Sequence, residues 1–443
     1  MTPSAIAVLA IFALTCGGLI ALVFAKPAVH IGGKKISIFW IAPLLGAIAL
    51  TVSGLLSPTE IAKGLTGAGD VNPIKILLLF FAMTMMSVYL DEIGFFRMLA
   101  VKVLDKAGHS QRILFFLLYG LVSVLTVFTS NDIIVLTFTP FICHFAKSAR
   151  IDPIPYLVSE FVAANTWSMA LIIGNPTNIY LTGSAGITFG TYLVKMLLPT
   201  AMAGCISCGV LFLVFRKKLS VPLNPEPQKP PSIDKTTEII GLCHLGGCIL
   251  LLSISSFIKL PMWLITCIFF VSLVIFTMAV SFFRRRAPFL IAKCILRAPW
   301  DLAPFVLSMF VLVLSLDKYG WTSVLANFLG EPQTVAGTVL SFGGASFLAS
   351  NILNNIPMSV LFSSVIASLP QGELTVAALF ASVIGSNLGA FFTPTGALAG
   401  IMWTSQLHDH GVPFSFITFI KYGVLLSIPA LAAALGGLIL ALS

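Results

Sequence analysis

Four short polar stretches interrupt an otherwise apolar chain, and they hold most of the groups able to do chemistry away from water. They are Ser130-Asn131-Asp132; Gly174-Asn175-Pro176-Thr177-Asn178; Asn351 with Asn354-Asn355-Ile356-Pro357; and Gly385-Ser386-Asn387-Leu388-Gly389 running on to Thr393-Pro394-Thr395. Amides and hydroxyls both donate and accept hydrogen bonds, so these side chains either cap interrupted helices or hold a polar solute or ion. Proline deletes a backbone donor and glycine relaxes the chain, so the second and fourth stretches should unwind and free carbonyl groups. Ser130 and Asn351 suit capping as well as binding. Asn131, Asn354 and Asn355 occupy corresponding places in the two halves of the chain, which favours contact with solute or ion. Asp132 is the acid of the set. Far from water a carboxylate either loads and releases a proton or caps the helix that follows it.

The chain that must position these groups has 443 residues, 58% hydrophobic and 9% charged, with a mean hydropathy of +1.03. A soluble domain carries about a quarter of its residues as Asp, Glu, Lys or Arg, because its surface must be wetted. This chain cannot coat such a surface, which excludes disulfide scaffolds, disordered proteins and nucleic-acid binders and leaves lipid as the solvent. Ten charge-poor apolar stretches are long enough to cross a bilayer: 4–25, 37–56, 74–90, 155–183, 191–215, 238–257, 261–282, 301–316, 376–405 and 414–442. Two more, 113–145 and 334–369, are broken mid-run by Ser130-Asn131-Asp132 and by Asn351 to Pro357. Lipid cannot satisfy broken backbone, so both read as re-entrant helical hairpins buried in protein or lining a watery cavity. The expected fold is an all-α polytopic membrane protein of ten spans and two re-entrant hairpins.

Loop charges orient it. If the hairpins do not switch sides, nineteen of the 25 Lys and Arg residues share one face. The positive-inside rule makes that face cytoplasmic and puts both termini outside, in a multi-pass protein of the cell (inner) membrane. The net charge of +9 therefore reports orientation and not a polyanionic partner.

The two halves repeat. Leu90-Asp91-Glu92-Ile93-Gly94 matches Leu316-Asp317-Lys318-Tyr319-Gly320, Asn131-Asp132-Ile133 matches Asn354-Asn355-Ile356, and Asn175-Pro176-Thr177 matches Thr393-Pro394-Thr395, in the same order. This divides the chain into a first repeat, 1–215, with a cytoplasmic-side hairpin at 113–145; a Pro-rich cytoplasmic linker, 216–237; and a second repeat, 238–443, with a periplasmic-side hairpin at 334–369. Five spans per repeat is an odd number, so the second is inverted. Inverted repeats with matched interrupted helices point to a secondary transporter with its site near the midplane.

The remaining chemistry is sparse. Asp91 and Asp317 lie at span ends, where capping or salt bridges are expected, and Glu160 is expected in a vestibule or interface. Cys205 and Cys208 form a CxxC inside an apolar span without a second pair, and His244 has no acid or thiol set around it, so no metal site is expected. There is no phosphate-binding Gly-rich Lys motif and no intramembrane catalytic pair, so neither ATP hydrolysis nor another enzyme activity is expected.

With these residues in place, the chain resembles the ion transporter superfamily, and most closely its arsenite/antimonite permease family. The resemblance rests on Leu90 to Phe96, on Ser130-Asn131-Asp132 with Leu136-Thr137-Phe138-Thr139-Pro140, on Asn354 to Pro357, and on Gly385 to Gly389 continuing through Thr393-Pro394-Thr395-Gly396 to Trp403. It implies a proton-coupled exporter of trivalent arsenic or antimony hydroxide, without a cofactor and sometimes with a cytoplasmic ATPase subunit. Asn131, Asp132, Asn354, Asn355 and the two broken helices then form the site, with Asp132 as the proton-coupling residue. The dicarboxylate and citrate relatives resemble a Ser-Asn-Thr signature at both tips, where Asp132 and Ile356 stand here, which weakens a carboxylate reading. One departure keeps an alternative open: Gly174 to Asn178 resembles the anion and Na⁺-coupled branches. The alternative is a Na⁺-coupled transporter of a small anion such as a di- or tricarboxylate.

Overall fold

Lipid offers the backbone no hydrogen-bond partners, so a chain this apolar must satisfy its peptide groups internally, and helices do so within one segment. The structure, a computed structural model, describes residues 2–25, 28–31, 34–66, 72–183, 186–223, 229–285 and 289–443. Among these the regular elements are helical apart from a short antiparallel pair, Ala28–Ile31 with Lys34–Ser37. Lys26, Arg286 and positions 224–228 of the linker lie outside the described residues. Large apolar side chains such as Val52, Phe257 and Phe283, each more than 80% exposed, cover the periphery, as expected of a surface solvated by lipid.

Among the described residues ten helices are long and apolar enough to cross a membrane, the expected number, but three members differ from the expected set. Gln111–Phe128, Asn131–Ala149 and Val335–Leu353, arms of the expected hairpins, are themselves of spanning length. In exchange, 37–56 contains only the helix Ile41–Val52, and 155–183 and 376–405 are each split. The first split runs Ile154–Trp167, two 3-10 turns, then Pro176–Gly183; the second runs Glu373–Gly389, non-helical 390–397, then Leu398–Asp409. Hydropathy sums side chains along the sequence and is blind to where the backbone ladder stops.

The order of elements in the first half recurs in the second, ending each time in a 27-residue helix, Phe189–Phe215 and Phe416–Leu442. Those two pack along each other, and the halves also exchange elements. Ile41–Val52 packs on Leu302–Lys318, and Met262–Phe283 packs on Pro73–Glu92. Small residues permit the closest approaches: a Cβ at Gly385 would lie 1.9 Å from Ser346 Oγ, and at Gly389 2.1 Å from Ser350 Oγ, so helices Glu373–Gly389 and Val335–Leu353 meet nearly backbone to backbone.

The repeated Leu-Asp-x-x-Gly motif is a helix corner. Gly94 and Gly320 adopt φ of +84° and +80°, a left-handed turn that favours glycine, and their N–H groups donate to Asp91 O at 2.8 Å and Asp317 O at 3.0 Å. Each corner is clasped to the other half with exchanged charge signs. Arg297 binds Asp91 at 2.7 Å and Glu92 at 2.6 Å, while Lys318 binds Glu60 at 2.7 Å. The Asp317 carboxylate accepts from Thr322 Oγ1 at 2.6 Å. Asp91 and Asp317 thus take the salt-bridge and capping roles expected of span-end acids.

Candidate functional site

The first hairpin turns at Thr129 and Ser130, between helices Gln111–Phe128 and Asn131–Ala149. Ser130 is extended and its hydroxyl makes no capping bond, so the new helix begins with its N-terminal donors uncovered by that side chain. Asn131 is buried, donates through Nδ2 to Asn165 Oδ1 at 3.1 Å, and leaves its own Oδ1 without a hydrogen-bond partner. Asp132 lies in the first helical turn, where the macrodipole favours negative charge.

Ser130 and Asp132 face a cavity of about 330 Å³ between the two halves. Its walls include Thr84 from Pro73–Glu92, Asp301 ahead of Leu302–Lys318, and Leu398, Ser405 and Gln406 from Leu398–Asp409. Three helices begin at this wall, so three positive helix ends meet two carboxylates, Asp132 and Asp301. The one basic side chain on it among the described residues is Arg297, already bound to Asp91 and Glu92. Gln406 Oε1 is buried without a partner. Sequence reasoning missed Asp301, Ser405 and Gln406 because each sits at a span end. The available signal for Asp301 was its place just ahead of a long helix, as Asn72 stands ahead of Pro73–Glu92 in the first half.

The second hairpin turns at Asn354, whose φ of +76° is strained for a residue with a side chain. The second break holds it there. Asn354 Nδ2 donates to Thr395 O at 3.1 Å, the Asn355 N–H donates to Gly396 O at 2.9 Å, and Asn351 Oδ1 accepts from the Thr393 N–H at 3.1 Å and hydroxyl at 2.6 Å. The Thr393 and Thr395 hydroxyls lie 3.0 Å apart.

A third cluster lies where the broken segments meet. Asn387 Oδ1 accepts from Ser168 Oγ and Asn175 Nδ2, each at 2.9 Å, and Asn387 Nδ2 donates to Asn178 Oδ1 at 2.7 Å. Asn178 Nδ2 donates to Ser168 O at 2.9 Å and Leu171 O at 3.0 Å, and Ser386 Oγ donates to Thr177 Oγ1 at 3.2 Å. Gly174 fits because a Cβ there would lie 2.3 Å from Ser168 O. The fourteen residues singled out from the sequence therefore fall into three groups: Ser130 and Asp132 at the cavity, with Asn131 buried between them in sequence; Asn351, Asn354, Asn355, Thr393 and Thr395 in the second tip; Gly174, Asn175, Thr177, Asn178, Ser386 and Asn387 in the central cluster.

Glu160, expected in a vestibule or interface, lies in an interface between the halves and is sealed there. Its carboxylate, 1% exposed, accepts from Thr139 Oγ1 and from Trp403 Nε1.

Among the described residues, ten apolar helices of spanning length and interrupted helices beside a cavity define a multi-pass membrane protein. Comparison with known proteins carries the assignment further: the citrate transporter model, CitMHS, matches residues 19–385, and the chain belongs to that family. It is 28% identical to the arsenical pump membrane protein of Escherichia coli (strain K12), over 98% of each chain. It is 25% identical to the putative arsenical pump membrane protein of Bacillus subtilis (strain 168), over 88% of this chain and 93% of that one. Among solved structures it matches the Alcanivorax borkumensis YdaH transporter with a TM-score of 0.57 at 13% identity, over 99% of this chain and 98% of that one, a likeness of fold.

Proposed function

We propose that this transporter exports a small neutral hydroxide, arsenite or antimonite, in exchange for protons, and that the cavity beside the first hairpin tip is its solute site. The composition of the wall carries this reading. A trihydroxide donates O–H groups to carboxylate and amide oxygens, and its oxygens accept from helix N–H groups, so Asp132, Asp301, Gln406, Ser130 and the converging helix ends complement it. A di- or tricarboxylate would instead bring negative charge against two acids, with the one wall cation, Arg297, already engaged. The names of the relatives at 28% and 25% identity favour the same solute, while the citrate description of the family model favours a carboxylate.

In this reading Asp132 is the proton carrier, exchanging its proton as the cavity faces one side and then the other. The basic loops are cytoplasmic, both termini are outside, and the halves are inverted repeats whose hairpins re-enter the membrane. Arg297 and Gln406 then mark the cytoplasmic mouth of the cavity, so the structure corresponds to an inward-facing state. Everted vesicles under an imposed proton or sodium gradient test the proposal: arsenite or antimonite uptake driven by protons is expected. Sodium-dependent carboxylate flux without an arsenite response would overturn it. A reporter fused to the C-terminus that is active only in the cytoplasm would overturn the orientation.

A further inference from the structure

The proposed cycle leaves one intramembrane acid unused. Glu160, on helix Ile154–Trp167, accepts from Thr139 Oγ1 at 3.2 Å to each carboxylate oxygen and from Trp403 Nε1 at 3.3 Å. Thr139 belongs to the second arm of the first hairpin, whose first turns line the cavity. Trp403 belongs to the helix after the second break, whose Ile401, Met402, Ser405 and Gln406 line the opposite wall. One carboxyl group thus pins both walls to the helix ahead of the first break. Trp403 carries the connection onward, since its ring lies 4.9 Å from Phe161, 5.0 Å from Phe414 and 5.8 Å from Phe419.

No salt bridge reaches Glu160 among the described residues. Of the charged or titratable groups on the surrounding helices, Asp132 lies two turns before Thr139 at the cavity and Cys143 one turn beyond it; Tyr156 donates to Gln111; Arg112, His144, Lys147, Glu373, His408, Asp409 and Lys421 are exposed; and Lys195 donates to Ala441 O at 2.8 Å. A charge sealed in a dry interior needs a counterion or several strong donors, and two neutral donors at these distances are neither.

The acid is particular to the first half. Counting back from the ends of the two helices that precede the breaks, Trp167 and Gly389, Glu160 corresponds to Ser382, and Asn165 to Asn387. Ser382 is buried and donates to Ala378 O of its own helix at 2.8 Å, so the corresponding position of the second half carries a hydroxyl satisfied within its own helix.

We propose that Glu160 is a protonation-dependent positioning residue: neutral in this packing, it holds the two cavity walls together, whereas its carboxylate demands hydration that the dry joint cannot supply, so that on losing its proton to entering water it exchanges Thr139 and Trp403 for water and lets helix Leu398–Asp409 move. Only the O–H bond breaks, and the proton leaves on water. The inference rests on the reading of the cavity as the solute site. It adds a second proton to the cycle, one that gates the wall and does not touch solute.

The test uses the full chain in lipid. Infrared difference spectra between low and high pH should show a carboxylic C=O band that Glu160→Gln removes and that Trp403→Phe shifts, because the ring N–H bonds that group. In counterflow assays, Glu160→Gln keeps the acceptor for Trp403 and Thr139, so exchange continues. Its rates should vary less than about twofold across a limb where the wild type varies about tenfold per pH unit, as one controlling proton requires. An unchanged band and a wild-type pH profile in Glu160→Gln would overturn the proposal, leaving Glu160 as a structural acceptor. Should Glu160→Gln fail to fold, a wild-type C=O band that Trp403→Phe leaves unmoved overturns it equally. Failure of the solute reading looks different: no arsenite flux in the wild type, with the Glu160 band still present and titrating.

Discussion

The two hairpin tips occupy matching places in the two halves, carry matching asparagines and do different things. The second is closed upon itself: Asn351, Asn354 and Asn355 are bonded to Thr393, Thr395 and Gly396 of the adjacent break, and those bonds hold Asn354 at a strained φ of +76°. The first is open. Ser130 caps nothing, Asn131 leaves its Oδ1 unbonded, and Asp132 faces the cavity. A polar group sealed without a partner costs about 1–3 kcal/mol, so such groups persist where something else selects them. The contrast teaches that a polar tip in this fold is a structural stitch when its own break supplies partners and a reactive surface when it does not.

The largest effect that would break this contrast is expected at Asp132. Asp132→Asn should abolish proton-gradient-driven solute uptake in everted vesicles, leaving the limb assigned to Glu160, and should leave thermal unfolding in detergent near wild type; uptake still driven by protons would reduce Asp132 to a helix cap. Next comes Asn351→Ala, which removes the acceptor for both Thr393 donors and a bond to Phe347 O and should cost about 2–3 kcal/mol in thermal unfolding. The same loss at Asn131→Ala would equate the two tips. Asn131→Ala should instead cost less, because its Oδ1 has no partner to lose, while Ser130→Ala at the cavity should weaken solute binding about tenfold, as expected for one lost hydrogen bond to solute, measured by isothermal titration with arsenite. Asn354→Gly should change stability by less than about 1 kcal/mol, because relief of backbone strain offsets the lost bond to Thr395 O. The smallest effect is at the clasp outside the spans. Lys318 and Ser57 hold the Glu60 carboxyl down from 4.5 to about 2, so the stability it contributes is fully present above about 4.5 and is lost as pH falls through about 2. Glu60→Gln should remove that acid limb from the melting temperature.

Much of this was legible in the residues. Charge scarcity dictated a lipid solvent, and the Leu-Asp-x-x-Gly corners were readable because a left-handed turn favours glycine, whatever surrounds it. The two breaks were equally readable, since proline and glycine act on the backbone locally. The membership of the spans was not. Hydropathy counted 37–56, which holds only the helix Ile41–Val52, as a span, and it discounted hairpin arms of spanning length. Asp301 and Gln406 were passed over because each lies near a span end in sequence, yet the packing of distant helices sets both on a cavity wall; the same packing seals Glu160, expected in a vestibule or interface.

By itself, then, the sequence determined the solvent, the helical class and the polar set that interrupts the helices, because these follow from composition and local backbone chemistry. Tertiary structure alone decided which polar groups satisfy one another and which face a cavity. Hydrogen-bond partners such as Asn178 and Asn387, or Glu160 and Trp403, are more than two hundred residues apart along the chain, and only the packing of the two halves brings them together.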